Sequence, residues 1–148
     1  MMRVVMLPVT PTFSDDIYRY VWDGAVVRAG FEPYAHAPSS PALAEVRDPD
    51  IWPKVNNPTL RSIYPPVALL AFSAAGRLGG GVLGMKLMSV FFDLATALVV
   101  AWMLRRRGRD PAAVALYAWN PLVVAETAMS GHMDPLAWFP LMLGLALL

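Results

Sequence analysis

Long apolar segments alternate with short polar ones along this chain, and the boundaries between them are sharp. Residues 82–104 form an apolar segment that only Lys86 and Asp93 interrupt. Residues 111–129 form a second one, and it begins at Pro111, a residue that suits the first position of a helix. A helix needs about 20 predominantly apolar residues to cross a bilayer. The pattern therefore predicts two membrane-spanning helices, 82–104 and 111–129.

Three further apolar segments are too short to span a bilayer by themselves. Residues 1–10 lack the apolar core and the cleavage site of a signal peptide, so we interpret them as the end of a span. Residues 135–148 are interpreted as the start of a truncated span. Residues 64–78 precede three glycines at 79–81 and are predicted to form an interfacial or re-entrant helix. We therefore expect the chain to be a piece of a longer protein.

The polar, proline-rich part of residues 11–81 contains one strong helix prediction. Ser14 is a favoured N-cap, and Asp15 and Asp16 follow in the first turn, where the helix dipole favours negative charge. Apolar residues then recur at helical spacing until Gly30, which can end the helix. Tyrosine and tryptophan side chains in this segment suit the membrane interface. The segment is thus predicted to be a long loop with interfacial helices.

Composition and charge agree with a membrane protein. The chain is 57% hydrophobic and 16% charged, whereas a soluble domain carries about 25% charged residues. Its mean hydropathy is +0.47. The net charge of +1 gives no reason to expect a nucleic-acid partner, and the absence of cysteine excludes disulfides and Cys-based metal sites. The predicted fold class is all-α, a polytopic transmembrane helical bundle with interfacial juxtamembrane helices in a long external loop.

The arginine-rich segment 105–110 predicts the orientation. Positively charged loops stay in the cytoplasm, so 82–104 should run inward and 111–129 outward. The turn with His132 and Asp134 then lies on the external face. If 64–78 does not cross the membrane, the whole loop 11–81 lies on that same external face. If 64–78 does cross, the acidic end of the loop, with Asp15 and Asp16, lies on the opposite face.

The adjacent carboxylates Asp15 and Asp16 are the first candidates for chemistry. A carboxylate at a membrane surface can take a proton from an acceptor hydroxyl, or hold a cation beside a phosphate. Ordinary helix capping is the structural alternative, and residue type and position alone favour it.

A Gly-His-X-Asp turn places His132 and Asp134 at the end of the segment 111–129. A functional interpretation has His132 donating to a phosphate and Asp134 orienting it or the sugar. Alternatively both are solvated turn residues, with Asp134 capping the helix that Pro135 begins. Two histidines, His36 and His132, do not make a zinc site, so we predict no metal ligands from them.

Charged residues in or beside the apolar segments complete the candidates. Lys86 and Asp93 share one face of 82–104. Lys86 can meet a lipid phosphate or extend to the interface, while a structural interhelix contact is predicted for Asp93. Arg61 and Tyr64 stand where the loop returns to the membrane, and Arg61 is a candidate phosphate ligand or a plain juxtamembrane arginine.

Two sequence details bear on the rest of the chain. The pair Asn120–Pro121 is predicted to kink the span 111–129, and Glu126 lies near its outer end. The glycines at 79–81 lack the Lys-Ser/Thr of a nucleotide-binding P-loop, and no Ser-His-Asp or Cys-His arrangement stands out. The sequence therefore gives little reason to interpret the chain as a nucleotide-dependent enzyme or a hydrolase.

The order of several motifs resembles that of bacterial GT-C superfamily glycosyltransferases, in particular the polyprenol-phosphate-mannose-dependent α-mannosyltransferases. The resemblance extends from about Pro11 to Asp134, and its motifs are SDDIYRYVWDG, AGFEPY, NNP followed by IYPPVALL, GMKLMSVFFDLATAL and YAWNPLVVAETAMSGHMD. Each motif is weak alone, but their common order is moderately specific.

The resemblance implies a multi-pass protein of the bacterial inner membrane with its active site on the external face. Such an enzyme moves a hexose, here expected to be mannose, from a polyprenyl-phosphate donor to a hydroxyl of a glycan or glycolipid acceptor. The implied catalytic base is Asp15 or Asp16, with Asp15 the first choice. No cofactor is certain, and a divalent cation on the carboxylate pair stays open. The implied substrate-binding residues are Arg61, Tyr64, Lys86, His132 and Asp134.

Two other function classes remain open. In a transporter or flippase subunit, Lys86 and Asp93 would be a coupling pair within the membrane. In a non-catalytic assembly protein, no single acidic residue would matter.

Overall fold

The computed structural model describes residues 2–78 and 80–148, and within these ranges the chain forms helices and loops without any strand. The all-helical prediction is thereby confirmed. The chain divides into two compact units. We call Pro11–Met85 the loop unit, and Met1–Thr10 together with Lys86–Leu148 the span unit.

The span unit begins with the short helix α1, Met2–Met6. In the loop unit, helix α2, Asp16–Arg28, is followed by two 3-10 segments, Pro41–Val46 and Trp52–Lys54. Helix α3, Pro66–Leu78, follows. A small core joins α2 to the 3-10 segments, and its buried members are Trp22, Val26, Leu43 and Val55.

Helix α2 begins slightly later than predicted. Asp15, not Ser14, holds the N-cap position, although the Ser14 hydroxyl accepts a hydrogen bond from the Asp16 N–H at 3.2 Å. The Ser14 hydroxyl therefore still binds an N–H group of the first helical turn, although Ser14 lies one residue before the N-cap. Gly30 has a φ of +82° and ends the helix as predicted.

Helices α2 and α3 pack unusually close together. A Cβ placed on Gly24 would lie 2.7 Å from both the carbonyl carbon and the oxygen of Phe72, so glycine is what permits the approach. The Tyr20 ring stacks on Phe72 at 4.9 Å and meets Tyr64 edge-on at 5.3 Å. The predicted helix at 64–78 is present as α3, and its interfacial position stays a prediction.

Helix α4, Gly81–Arg106, contains the predicted span 82–104, and of the residues described it is the one helix long and apolar enough to cross a membrane. Asp93 in its middle is fully buried. Its carboxylate accepts a hydrogen bond from the Arg3 guanidinium on α1 and another, at 2.7 Å, from the Tyr117 hydroxyl. The interhelix contact predicted for Asp93 is confirmed.

The segment 111–129 differs from the predicted helix with a single kink. It consists of a 3-10 turn at Pro111–Val114, helix α5 at Ala115–Ala118, helix α6 at Pro121–Val124 and a π-helical turn at Ala125–Met129.

The physical reason for the break lies at Asn120. Its ψ of 120° leaves the helical region, and its side-chain oxygen accepts the Leu122 N–H at 2.9 Å, which starts a new helix at Pro121. The proline also lacks the N–H that a continuous helix would use. Helix α7, Pro135–Leu147, follows. The membrane crossings predicted for 111–129 and 135–148 stay predictions.

Candidate functional site

The acidic pair lies at the start of α2 and is oriented by one amide group. Asp15 is exposed and Asp16 is half-buried. The side-chain nitrogen of Asn56 donates to Asp15 Oδ1 at 3.0 Å and to Asp16 Oδ1 at 2.5 Å. The Asp15 carboxylate accepts no capping hydrogen bond, although it lies at the N-cap position, where the helix dipole favours negative charge. The two carboxylates are instead held side by side by Asn56.

A buried polar network lies one helical turn further along α2. The Arg19 Nε donates to Asp23 Oδ1 at 3.1 Å, and the Ser62 hydroxyl donates to Asp23 Oδ2 at 2.7 Å. Arg19 also donates to the carbonyls of Asn57 at 3.3 Å and Leu60 at 2.9 Å. Burial raises the pKa of Asp23, and the Arg19 charge and the Ser62 hydrogen bond oppose that rise.

Sequence reasoning missed Asn56 and this network as parts of the site. A local indication existed, because Arg19 and Asp23 stand four residues apart on a helix, where opposite charges meet. The contacts to residues 56–62 bridge about 40 positions of sequence and follow from the tertiary fold.

The loop unit also contains the predicted ligands Arg61 and Tyr64. Arg61 is exposed. The Tyr64 ring is half-buried, and burial together with the negative charges of Asp16 and Asp23 raises the pKa of its hydroxyl to about 12. Like any tyrosine at neutral pH, it keeps its phenol proton and can donate a hydrogen bond. The Tyr64 carbonyl accepts from the Tyr34 hydroxyl at 2.5 Å.

Lys86 belongs to the span unit and is buried, with 1% of its surface exposed. Its ammonium donates to the carbonyls of Leu7, at 3.2 Å, and Val9. The side chain thus fixes the segment after α1, and its extension to the membrane interface stays a prediction. Its predicted role as a phosphate ligand stays a prediction.

His132 is joined to Glu126 by two contacts. Its Nδ1 lies 2.6 Å from Glu126 Oε2, and its backbone N–H donates to the Glu126 carbonyl at 2.9 Å. The Ser89 hydroxyl in α4 donates to the His132 carbonyl at 2.6 Å. Asp134 is exposed at the N-cap position of α7, and its carboxylate accepts no capping hydrogen bond there.

A cavity of about 370 Å³ brings His132 and Asp134 together with Glu126. Its walls are largely aromatic and aliphatic, and the π-helical turn forms part of them. The remaining lining residues are Tyr117, Leu122, Val123, Thr127, Pro135 and Trp138. Carboxylate and imidazole groups beside an indole can hydrogen-bond and stack against a polyol.

The candidate residues therefore form two groups, one in each unit. Asp15, Asp16, Arg61 and Tyr64 belong to the loop unit, and Lys86, His132 and Asp134 to the span unit. That both groups face one compartment stays a prediction. Over residues 2–78 and 80–148, no group of three or more His, Cys, Asp or Glu side chains is arranged to hold a metal ion.

Two comparisons with known proteins indicate the same enzyme family over nearly the whole chain. Residues 3–148 match a family model described as alpha-(1->6)-mannopyranosyltransferase, N-terminal domain. The chain is 28% identical, over 152 aligned residues, to alpha-(1->6)-mannopyranosyltransferase B of Corynebacterium glutamicum. That alignment covers 93% of this chain and 24% of the relative, so the chain spans about a quarter of the relative's length. No solved structure matches the chain.

Proposed function

The chain belongs to the alpha-(1->6)-mannopyranosyltransferase family, and from that membership we propose that it contributes the catalytic base to a membrane mannosyltransferase. The donor in this proposal is a polyprenyl-phosphate mannose, and the acceptor is a hydroxyl of a glycan or glycolipid. The relative's name describes an alpha-(1->6) mannopyranosyl transfer, so the attacking group in this proposal is a 6-hydroxyl of the acceptor.

The proposed topology follows the apolar pattern. Residues 1–10 end one span, 11–81 form an external loop, 82–104 and 111–129 cross the inner membrane, and 135–148 begin a further span. The cytoplasmic loop is 105–110. The apolar length of α4 supports the central crossing. In a polytopic bundle of this kind, the acidic pair and the His132 turn face the same external compartment.

One observation carries the proposed chemistry, namely the carboxylate pair that Asn56 holds at the exposed start of α2. The acceptor hydroxyl attacks the anomeric carbon from the face opposite the phosphate. The bond between that carbon and the phosphate oxygen breaks, and its electron pair leaves with the polyprenyl phosphate. Asp15 takes the hydroxyl proton, because Asp15 is exposed while Asp16 is half-buried.

The remaining predicted ligands take supporting roles in this proposal. Arg61 is an exposed cation of the same unit and suits the departing phosphate. Tyr64 keeps its proton and suits a hydrogen bond to the sugar or phosphate. His132 and Asp134 suit hydrogen bonds to sugar hydroxyls, and Trp138 in the same cavity suits stacking on a face of the sugar ring. Phosphate binding stays an untested expectation for Lys86, whose ammonium already holds two backbone carbonyls.

No observation favours the transporter alternative. It requires Lys86 and Asp93 to act as a coupling pair, but within the span unit each of the two side chains is engaged by different partners. Lys86 contacts two backbone carbonyls, and Asp93 contacts Arg3 and Tyr117.

The proposal is tested by assaying the full-length natural protein in membranes for mannosyl transfer from polyprenyl-phosphate mannose. We compare wild type with Asp15→Asn and Asp16→Asn, and use Asp50→Asn as a control that removes another exposed acid of the loop unit. Removing a general base lowers the rate about 10²- to 10⁴-fold. We expect that loss in Asp15→Asn and wild-type activity in Asp50→Asn. Wild-type activity in Asp15→Asn would contradict the assignment of Asp15 as the base. Retained activity in both pair variants, or loss only in Asp93→Asn, would contradict the proposed function.

A further inference from the structure

Residues 56–62, which we call the return loop, are fastened to α2 at both ends and in the middle. At one end, Asn56 donates to the carboxylates of Asp15 and Asp16. At the other end, the Ser62 hydroxyl donates to Asp23 at 2.7 Å. Between them, Arg19 holds two carbonyls of the loop. One helix thus supplies both the acidic pair and the anchors for the loop that contacts it.

Arg19 is suited to this fastening by its geometry. Its guanidinium directs donors in a rigid fork, so one side chain reaches Asp23 and the carbonyls of Asn57 and Leu60 at the same time. Arg19 and Asp23 are 4% and 2% exposed, so water competes little for these hydrogen bonds. Hydrogen bonds to charged partners are also the stronger kind. The anchor is therefore stiff.

The anchor acts directly beside Asn56. Asn57, the next residue, has a φ of +45°, a left-handed conformation that asparagine tolerates better than most residues. Its carbonyl accepts from Arg19 and from the Leu60 N–H, the latter at 2.9 Å. The Asn57–Pro58 peptide, one residue beyond Asn56, is thus fixed by two donors, which limits where the Asn56 amide can point.

We propose that Arg19 and Asp23 are positioning residues that hold the return loop on α2, so that Asn56 orients the carboxylates of Asp15 and Asp16 for proton transfer. This inference rests on the proposed function of the acidic pair. Arg19 and Asp23 act through Asn56 and touch no reacting atom. Their substitution should lower the catalytic rate constant and leave donor affinity nearly unchanged.

A double variant tests the anchor without leaving a buried charge unpaired. Arg19→Gln/Asp23→Asn removes both charges but keeps polar side chains, although Gln is shorter than Arg. The matched control is Arg47→Gln. Arg47 also holds loop carbonyls of this unit, those of Ser39 at 2.8 Å and Ser40 at 3.0 Å, and it lies over the Trp52 ring. Both variants thus lose an arginine that fixes loop backbone, but only one of these arginines is linked to the acidic pair.

A second series tests Asn56 itself and does not disturb the buried anchor. Asn56→Asp keeps the shape but sets a third carboxylate against the pair, Asn56→Ala removes the donor, and Asn56→Gln keeps a donating amide. We expect kcat to be lowest in Asn56→Asp, higher in Asn56→Ala, higher again in Asn56→Gln and highest in wild type. A residue with a merely structural role would show no such order at equal thermal stability.

All variants are assayed in the full-length protein at matched protein levels, with kcat and donor KM measured separately. A misplacement near 1 Å can cost about 10²-fold in rate, so we expect the double variant to lose about 10- to 100-fold in kcat. Its donor KM should stay within about threefold, and Arg47→Gln should keep wild-type kcat.

The outcomes separate this inference from the proposed function. If the two single variants of the acidic pair keep full activity, the proposed function fails. If those variants lose activity while the double variant and Asn56→Asp keep wild-type kcat, the positioning inference alone is overturned. Equal kcat losses in Arg47→Gln and the double variant would also overturn it. If the double variant does not fold, the kcat order of the Asn56 series decides.

Discussion

Replacing Gly24 by alanine perturbs the closest contact between α2 and α3. The new Cβ would lie 2.7 Å from the Phe72 carbonyl carbon and oxygen and 3.1 Å from the Ser73 nitrogen. Ordinary contact begins at 3.4 Å, so the methyl group is about 0.7 Å too close, the difference between 3.4 and 2.7 Å. Backbone atoms cannot rotate away as a side chain end can. The two helices must therefore separate, or α2 must bend.

The expected cost follows from overpacking. Inserting a carbon into a filled contact costs about 1–3 kcal/mol. Alanine recovers up to about 1 kcal/mol through its better helix propensity. Because the overlap is with backbone atoms, the upper part of that range, about 2–3 kcal/mol, applies, and the net expected loss is about 1–2 kcal/mol. It should appear as a lower midpoint of thermal unfolding in detergent. The carboxylate pair lies on the same helix, so the transfer rate should also fall.

The control for this prediction is Gly144→Ala. Gly144 lies within α7, and a Cβ there would meet nothing within 4 Å. Only the helix propensity term remains, so this variant should be as stable as wild type or slightly more stable. If Gly24→Ala unfolds at or above the wild-type midpoint, the close packing of α2 on α3 is wrong.

Three further predictions concern charged and titratable groups. Asp93→Asn leaves the buried Arg3 without its carboxylate partner and should lower the free energy of unfolding by about 3–5 kcal/mol. The double variant Arg3→Met/Asp93→Leu should recover part of this loss. Equal melting midpoints of wild type and Asp93→Asn would contradict the prediction. Burial raises the Tyr64 pKa from 10.0 to about 12, so its contribution to stability is complete below pH 10 and is lost as the pH rises toward 12. The alkaline loss of stability should therefore be smaller in Tyr64→Phe, and identical pH profiles would refute the assignment. Lys86→Met should lower the melting midpoint and leave donor KM nearly unchanged, because the ammonium holds two backbone carbonyls. A raised KM at unchanged stability would support phosphate binding instead.

Local patterns predicted the elements that depend on local physics. The start of α2 follows from a serine and two aspartates before a helical apolar pattern, and the structure has Asp15 at the N-cap and Asp16 as the first helical residue. The length of α4 follows from its apolar run. The prediction for Asp93 was also correct, because a buried carboxylate in an apolar helix requires a partner.

Contacts between distant parts of the chain could not be predicted in the same way. Asn56 meets Asp16 across 40 positions, and no periodicity links the two residues. The break at Asn120 was underestimated, because an asparagine side chain can both end one helix and cap the next. For Lys86, residue type indicated a need for partners but did not identify the carbonyls that serve it.

The central claim is that Asp15 removes the acceptor proton in the chemical step. The most direct measurement is the single-turnover rate of mannosyl transfer with saturating polyprenyl-phosphate mannose prebound to the full-length protein, in wild type and Asp15→Asn. The account predicts a rate about 10²- to 10⁴-fold lower in Asp15→Asn, with donor affinity within about threefold of wild type. A single-turnover rate equal to that of wild type would contradict it.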